Sequence, residues 1–498
     1  MLVHFNQSLQ TARIGVEGSR ETVAELSGRV VESLATLLQQ GQVDQRTLST
    51  LHIHLDWIQY RANFRESIIV RRAFDPAGKL LPLAEIAIDL RQVEAPRLTT
   101  LLAEAQRELR RRPLPPGEHV EHAPLVLGEY GPLRDSVIWQ FNRLFWQRLG
   151  EWEAASGQGF EAALPSGRSD ANHPEAIADS VGDFWTLLRD LEGRAQLPAE
   201  IFALEVGIGS GTRARIWLDR FKALDEQCGT AYYSRLRFIL GDYAPQTLDT
   251  ALAAVGPHAP IVTVMAMDAL NPFKTLSFLR FKILHIHLTN VYDNMPFDEL
   301  VRRDGSLYMV ETRPAVSAAA AGHLAATLGV RLEEIPVLMR RLLDVGPEVF
   351  EDRTRGMSFW RCIWSALRLE ERLRAIDDGD EAHVPNGLGR EHIDELLDAA
   401  PHDVRFHVSR GAAESFANTL PLLHPRGYLQ VQDIFVPAME NYRQGFYGPG
   451  KLDGSVVSWV NGALLRAIGA RAGYDVHFAP FRYRPGSRTS ILFTTPRD

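Results

Sequence analysis

The chain has 498 residues, 45% of them hydrophobic and 23% charged, the balance of a folded protein with two or three cores and not of a disordered one. Its 54 basic and 62 acidic residues leave a net charge of −8, which counts against general nucleic-acid binding. Two cysteines, Cys228 and Cys362, form no C-x-x-C pair and exclude a disulfide framework or a thiolate zinc cluster.

The opening Met1-Leu2-Val3-His4-Phe5-Asn6 has no basic region followed by an apolar run, and no stretch approaches the ~20 apolar residues of a membrane span. A cytoplasmic protein without a membrane partner is expected, with a homo-oligomer among the states allowed. Residues 1–195 read as a mainly helical N-terminal domain. Val23, Leu26, Val30, Leu34, Leu37 and Leu38 make one helical stripe, and Ile138, Phe141, Phe145 and Leu149 another.

The pattern changes at Ile201. Apolar runs at Ile201–Val206, Leu236–Leu240, Ile261–Ala266 and Ile283–Leu288 alternate with helical segments, predicting a parallel α/β sheet over 196–313. Residues 314–400 read as a helical insertion placed to cap a substrate. They include Phe359, Trp360, Trp364 and Leu367, read mainly as core. The sheet resumes over 401–498. Its last two runs, Asp475–Ala479 and Thr489–Thr494, are joined by Arg484-Pro485-Gly486-Ser487 and so form an antiparallel hairpin. A mostly parallel sheet closed by an antiparallel strand is the Rossmann-like arrangement of class I methyltransferases; nicotinamide-binding sheets are usually wholly parallel.

The first run ends in Glu205-Val206-Gly207-Ile208-Gly209-Ser210-Gly211. Glycines at this turn let a ligand approach the backbone. A dinucleotide fingerprint needs glycine at 212, where Thr212 stands. The spacing G-x-G-x-G after an acid suits the cationic S-adenosylmethionine, with Glu205, Gly207, Gly209 and Gly211 around its methionine half. Asp242, beside Tyr243 at the second strand's end, is placed to accept the ribose hydroxyls. Asp268 at the third is placed for the adenine amine, with Met267 and Ala269 against the ring. A turn or a helix cap accounts for either acid equally well. Asn290 and Asp293 at the fourth strand's end, with Asp433, are the candidates facing the transferable methyl. Tyr442, Tyr447, Lys451, Asp453 and Trp459 are outer candidates. His285 and His287 share a strand face without further ligands nearby, so buried, hydrogen-bonded histidines are expected and no metal site.

Together these residues resemble the MidA family of S-adenosylmethionine-dependent methyltransferases. The similarity spans Leu204–Thr312 and Gly427–Thr494 and rests on the glycine loop, Asp242-Tyr243-Ala244-Pro245, Asn290-Val291-Tyr292-Asp293-Asn294-Met295-Pro296 and Gly450-Lys451-Leu452-Asp453-Gly454-Ser455-Val456. Mitochondrial members methylate an arginine of a respiratory complex I subunit during its assembly. The resemblance implies the fold and the cofactor. Val291 stands where the family has glutamate, so the arginine acceptor carries over poorly, although Glu311, Asp293 or Asp433 could substitute; a protein or a small molecule remains open as acceptor. Two rivals are a nicotinamide-dependent oxidoreductase and a non-catalytic scaffold that keeps the fold.

Overall fold

The computed structural model describes residues 124–164, 169–303, 305–376, 390–400, 402–444 and 449–497, with shorter pieces before residue 89. Its internal contacts define two units. One comprises Met1–Glu129, Arg313–Glu370 and Pro449–Gly454; the other comprises Tyr130–Thr312, Glu371–Gly448 and Ser455–Asp498.

The second unit opens with helices α1 (Ile138–Gln147) and α2 (Pro174–Gly193). Then follow β1 (Ile201–Val206), α3 (Thr212–Cys228), β2 (Leu236–Asp242), α4 (Pro245–Val255), β3 (Val262–Ala266) and β4 (Ile283–Thr289). After these come β5 (Asp298–Arg303), β6 (Ser306–Val316, of which Ser306–Thr312 lie in this unit), β7 (Val404–Val408), α5 (Arg410–Thr419), β8 (Leu423–Asp433), α6 (Gly462–Arg471), β9 (Tyr474–Pro480) and β10 (Ser490–Pro496). The main sheet runs β3-β2-β1-β4-β8-β10-β9. Neighbours from β3 to β8 are parallel, and β10 is antiparallel to both β8 and β9, the hairpin expected from the sequence.

Alternation along β1 divides its side chains between two cores. Ile201 and Ala203 pack with Phe184 and Leu188 of α2 and Trp217 and Phe221 of α3. Leu204 and Val206 share the opposite core with Phe416 of α5 and Leu464 and Leu465 of α6. Each such buried valine, leucine, isoleucine or phenylalanine contributes about 1.5–3 kcal/mol. The packing of α2 on β1 and α3 is why residues 130–195 belong with the sheet and not with an N-terminal domain ending at 195.

Before residue 89 the described pieces are mostly strands, which corrects the mainly helical reading there, although Glu32, Ala35, Thr36, Leu38 and Gln39 are helical as the stripe implied. Leu2–His4, Leu51–His54, Leu80–Ile88 and Ile68–Phe74 form a four-stranded sheet in that order. Runs such as Ile68-Ile69-Val70 are β-branched and favour strands. Val23, Leu26, Val30, Leu34 and Leu37 lie outside the described residues, and Leu38 is exposed. The interval 314–400 does supply helices Ala318–Leu328, Ile335–Val345, Arg353–Ala366 and Arg390–Asp398. It also holds a strand, Arg368–Ala375, and it is divided between the units. Ile393 and Leu396 are buried in the second unit's core, so excising 318–398 would cut into both units. Phe359, Trp360, Trp364 and Leu367 are core residues, each 2% exposed or less. Among the described residues no helix is long and apolar enough to cross a membrane.

Candidate functional site

At the carboxyl end of β1 the chain turns through Gly207, Gly209 and Gly211 with φ of +73°, +52° and +76°. Side chains other than glycine rarely adopt such values. The three glycines are held for different reasons. A Cβ on Gly207 would stand 2.4 Å from Val291 Cγ2, and one on Gly211 would stand 2.7 Å from Ala251 Cα. One on Gly209 would meet nothing within 4 Å. Gly207 and Gly211 therefore serve packing, and Gly209 borders open space at the end of the central strand.

Glu205, expected to meet a cationic ligand, is instead 4% exposed and accepts from Arg213 Nη1 at 2.8 Å, with Arg213 equally buried. Burial raises the carboxyl and Arg213 opposes that rise. The alternation of β1 turns this side chain to the α2–α3 face, where Arg213 compensates its charge. His287 shares that layer, bonded to Gln430 at 3.2 Å and Thr289 Oγ1 at 2.7 Å. His285 lies between Trp217 and Tyr428, its pKa pushed down to about 3 by burial and then by Arg213. The two rings are neutral structural groups.

The ends of β1, β2 and β3 are joined by backbone bonds: Gly207 N–H to Gly241 O and Met267 N–H to Asp242 O, both 2.9 Å. Asp242 Oδ1 accepts from Ala244 N–H at 3.0 Å. Burial raises its carboxyl, opposed only by N–H groups of Ala244, Tyr243 and Ile208, the last from the glycine loop. Asp242 thus sits against that loop, and among the described residues no cation opposes its charge. Tyr243 beside it is 39% exposed. Burial raises its hydroxyl, Asp242 adds to the rise and Arg143 opposes it. Met267 is not offered to a ligand ring: it is buried against Gly241, whose Cβ would stand 2.4 Å from its sulfur. Asp268 is exposed and accepts from Leu270 N–H at 2.9 Å, while the carbonyl of half-buried Ala269 accepts from Ser415 Oγ at 2.5 Å.

Asn290 closes β4 in the left-handed region, φ +52°. A non-glycine residue held there is strained, a condition that clusters at functional sites. Its N–H donates to Gln432 O at 3.0 Å and its carbonyl accepts from Asn294 Nδ2 at 3.1 Å. Asp433, fully buried, accepts from the N–H groups of Tyr292 (2.9 Å), Asp293 (3.2 Å) and Ile434 (2.8 Å). Asp293, 7% exposed, accepts from Asn294 Nδ2 at 2.7 Å. Burial and then the charge of Asp433 raise the Asp293 carboxyl well above its ordinary range, and burial pushes Asp433 up to about 7. The pair holds a proton near neutral pH. Asp433, enclosed by backbone N–H groups, holds the turn in place.

One part of this site was missed in the sequence: α1. Asn142 Nδ2 donates to Asn294 O and Trp146 Nε1 to Asn294 Oδ1, both 3.0 Å, while Asn142 Oδ1 accepts from Val456 N–H at 2.9 Å. The only signal was a pair of polar-tipped residues inside an aromatic helix. Of the outer candidates, Lys451 is committed elsewhere. Its Nζ donates to the carbonyls of Trp364, Ser365 and Leu367 at 2.5–3.2 Å, capping the end of the Arg353–Ala366 helix. Tyr442 is buried, the Trp459 carbonyl accepts from His407 Nδ1 at 3.0 Å, and Asp453 occupies a turn with φ +53°. Tyr447 lies outside the described residues.

No protein-family model and no curated protein matches this chain. Among solved structures, a COG1565 superfamily member from Burkholderia thailandensis, bound to S-adenosyl-homocysteine, is similar over 74% of this chain and 88% of its own, at 13% identity and a TM-score of 0.43. An uncharacterized COG1565 superfamily protein from the same organism gives 74%, 87%, 12% and 0.43. The CcbJ methyltransferase from Streptomyces caelestis covers 61% of this chain and 86% of its own length, at 11% identity and a TM-score of 0.28.

Proposed function

We propose that this chain is an S-adenosylmethionine-dependent methyltransferase of Rossmann-like class I fold, acting on an N, O or C atom of a protein or small molecule. The observation that carries the reading is the strand order, with antiparallel β10 lodged between β8 and β9. A dinucleotide-binding sheet of order 3-2-1-4-5-6 has no such strand. The open face of Gly209 and the unopposed carboxylate of Asp242 fit the group.

Gly207–Gly211 would hold the methionine half and Asp242 the ribose. Tyr243, Asp268 and Ala269 would flank the adenine. When bound, the cofactor supplies an activated methyl and its own leaving group, so the protein's part is mainly positioning. Asn290 orients the acceptor, and Asp293, once its pair with Asp433 has given up its proton, takes the proton that an N–H or O–H nucleophile sheds.

Calorimetry tests the reading. S-adenosylmethionine or S-adenosylhomocysteine should bind in the micromolar range, at about −8 kcal/mol. NAD should bind far more weakly; tighter NAD binding would overturn the proposal. Asp242→Asn retains an oxygen for the Ala244 turn but removes the charge from two ribose bonds. Each bond weakens by about 1 kcal/mol, so cofactor affinity should fall about 30-fold with turnover at saturation little changed. A larger loss in turnover than in affinity would remove Asp242 from the ribose.

A further inference from the structure

Helix α1 meets the turn after β4 at Asn294, and both polar ends of the Asn294 side chain are engaged there. Oδ1 accepts from Trp146 Nε1 at 3.0 Å. Nδ2 donates to the Asn290 carbonyl at 3.1 Å and to Asp293 Oδ1 at 2.7 Å. An indole N–H can only donate, so the amide oxygen must face Trp146. Its two hydrogens then fall to Asn290 and Asp293, and the reverse orientation would set oxygen against two acceptors. One NH2 group therefore holds both the left-handed Asn290 and the Asp293 carboxylate.

The helix side of this contact is itself fixed. The Asn294 carbonyl accepts from Asn142 Nδ2 at 3.0 Å, and Asn142 Oδ1 accepts from Val456 N–H at 2.9 Å, so this second amide also has one permitted orientation. The Trp146 ring stands edge-on to Phe145 and Phe160, with centroids 5.0 and 4.9 Å away. The charge that acts on Asp293 is that of Asp433 on β8. Toward the same turn α1 presents the uncharged Asn142 and Trp146, Ser458 donates its hydroxyl to the Asp293 carbonyl, and Arg410 of α5 acts on Asp298.

We propose that Asn294 is a positioning residue for Asp293, its amide locked by Trp146 so that Asp293 Oδ1 is held and Oδ2 is left to take the proton. A donor on Oδ1 makes that oxygen the less basic of the two and favours the charged carboxylate. The proposal rests on the reading of Asp293 as proton acceptor given above, and it gives α1 a part in the chemistry without contact to a ligand.

Infrared titration of the full chain tests it, following the C=O stretch of the protonated Asp293–Asp433 pair, the band that Asp293→Asn removes or displaces. In Asn294→Leu, which keeps the bulk and removes the amide, the band should persist about one pH unit higher than in wild type. That is the tenfold change expected for losing one hydrogen bond to a charged group. Trp146→Phe, which keeps the ring and removes its N–H, should move the band in the same direction by less. Added to Asn294→Leu it should move the band no further, because the two act through one contact. A purely structural Asn294 would lower the melting temperature and leave the titration where it is. An unmoved titration in Asn294→Leu, or in Trp146→Phe should Asn294→Leu fail to fold, overturns the proposal. The readout needs neither cofactor nor acceptor, so that result would leave the cofactor reading standing, and failure of adenosyl ligands to bind in calorimetry would remove the cofactor reading alone.

Discussion

Gly209→Val is expected to lose S-adenosylmethionine binding by at least two orders of magnitude, about 2.8 kcal/mol, in a protein that remains folded. The cost to the fold is confined to the backbone. A branched residue at φ +52° is strained by roughly 1–2 kcal/mol, but its Cβ meets no atom beyond its chain neighbours within 4 Å. What it fills is the space over the loop. Gly211→Ala makes the contrast, because its new Cβ collides with the Ala251 backbone at 2.7 Å. Overpacking of about 1–3 kcal/mol then adds to the backbone strain, and thermal unfolding should reveal it. Wild-type affinity in Gly209→Val would mean that the ligand does not lie on this loop.

Asp293→Asn should lower turnover about a hundredfold or more, the usual worth of a positioned proton acceptor, with cofactor affinity nearly unchanged. Wild-type turnover should rise as pH increases through about 7, where the Asp293–Asp433 pair gives up its proton. The variant should lack that rise. Stability runs the other way. Both folded carboxyls lie above the unfolded value of about 3.9, so the pair's contribution is fully present below that pH and is lost as pH climbs through about 7. The loss is on the order of a few kcal/mol. Asp293→Asn mimics the protonated state, so its melting temperature should fall less than that of wild type between pH 5 and pH 8. These pH values bracket the titration by about two units below and one above. Parallel melting curves would show that the pair does not titrate there.

The central strands, the glycine turn and the closing hairpin were legible because each is written locally: an apolar run, a G-x-G-x-G spacing, a Pro-Gly turn. The acids at the strand ends followed from the same register. Partner choice was not legible. Glu205 read as a ligand contact because nothing in a period of two says which neighbour compensates a buried charge; Arg213 does, eight residues on. The contact between Asn142 and Asn294 spans 152 residues, beyond any periodicity. The six-stranded sheet that contains β5, β6 and β7 was overlooked although Asp304-Gly305, between paired Arg303 and Ser306, is a hairpin signal of the ordinary kind. In the insertion, Arg368-Leu369-Glu370-Glu371-Arg372-Leu373-Arg374 carries too few apolar residues to announce a strand.

The position of β10 between β8 and β9 bears on how the protein is made. Its two neighbours precede it in the chain, so a nascent polypeptide synthesised only as far as residue 489 has both strands and nothing to join them. Until Ser490–Pro496 leaves the ribosome, β8 presents an unpaired edge carrying Leu429 and Val431, both fully buried in the finished molecule. Such an edge is a template for pairing with another chain. Completion of the sheet therefore waits for Ser490–Pro496, and a premature stop a few residues before Ser490 would release a product prone to aggregate.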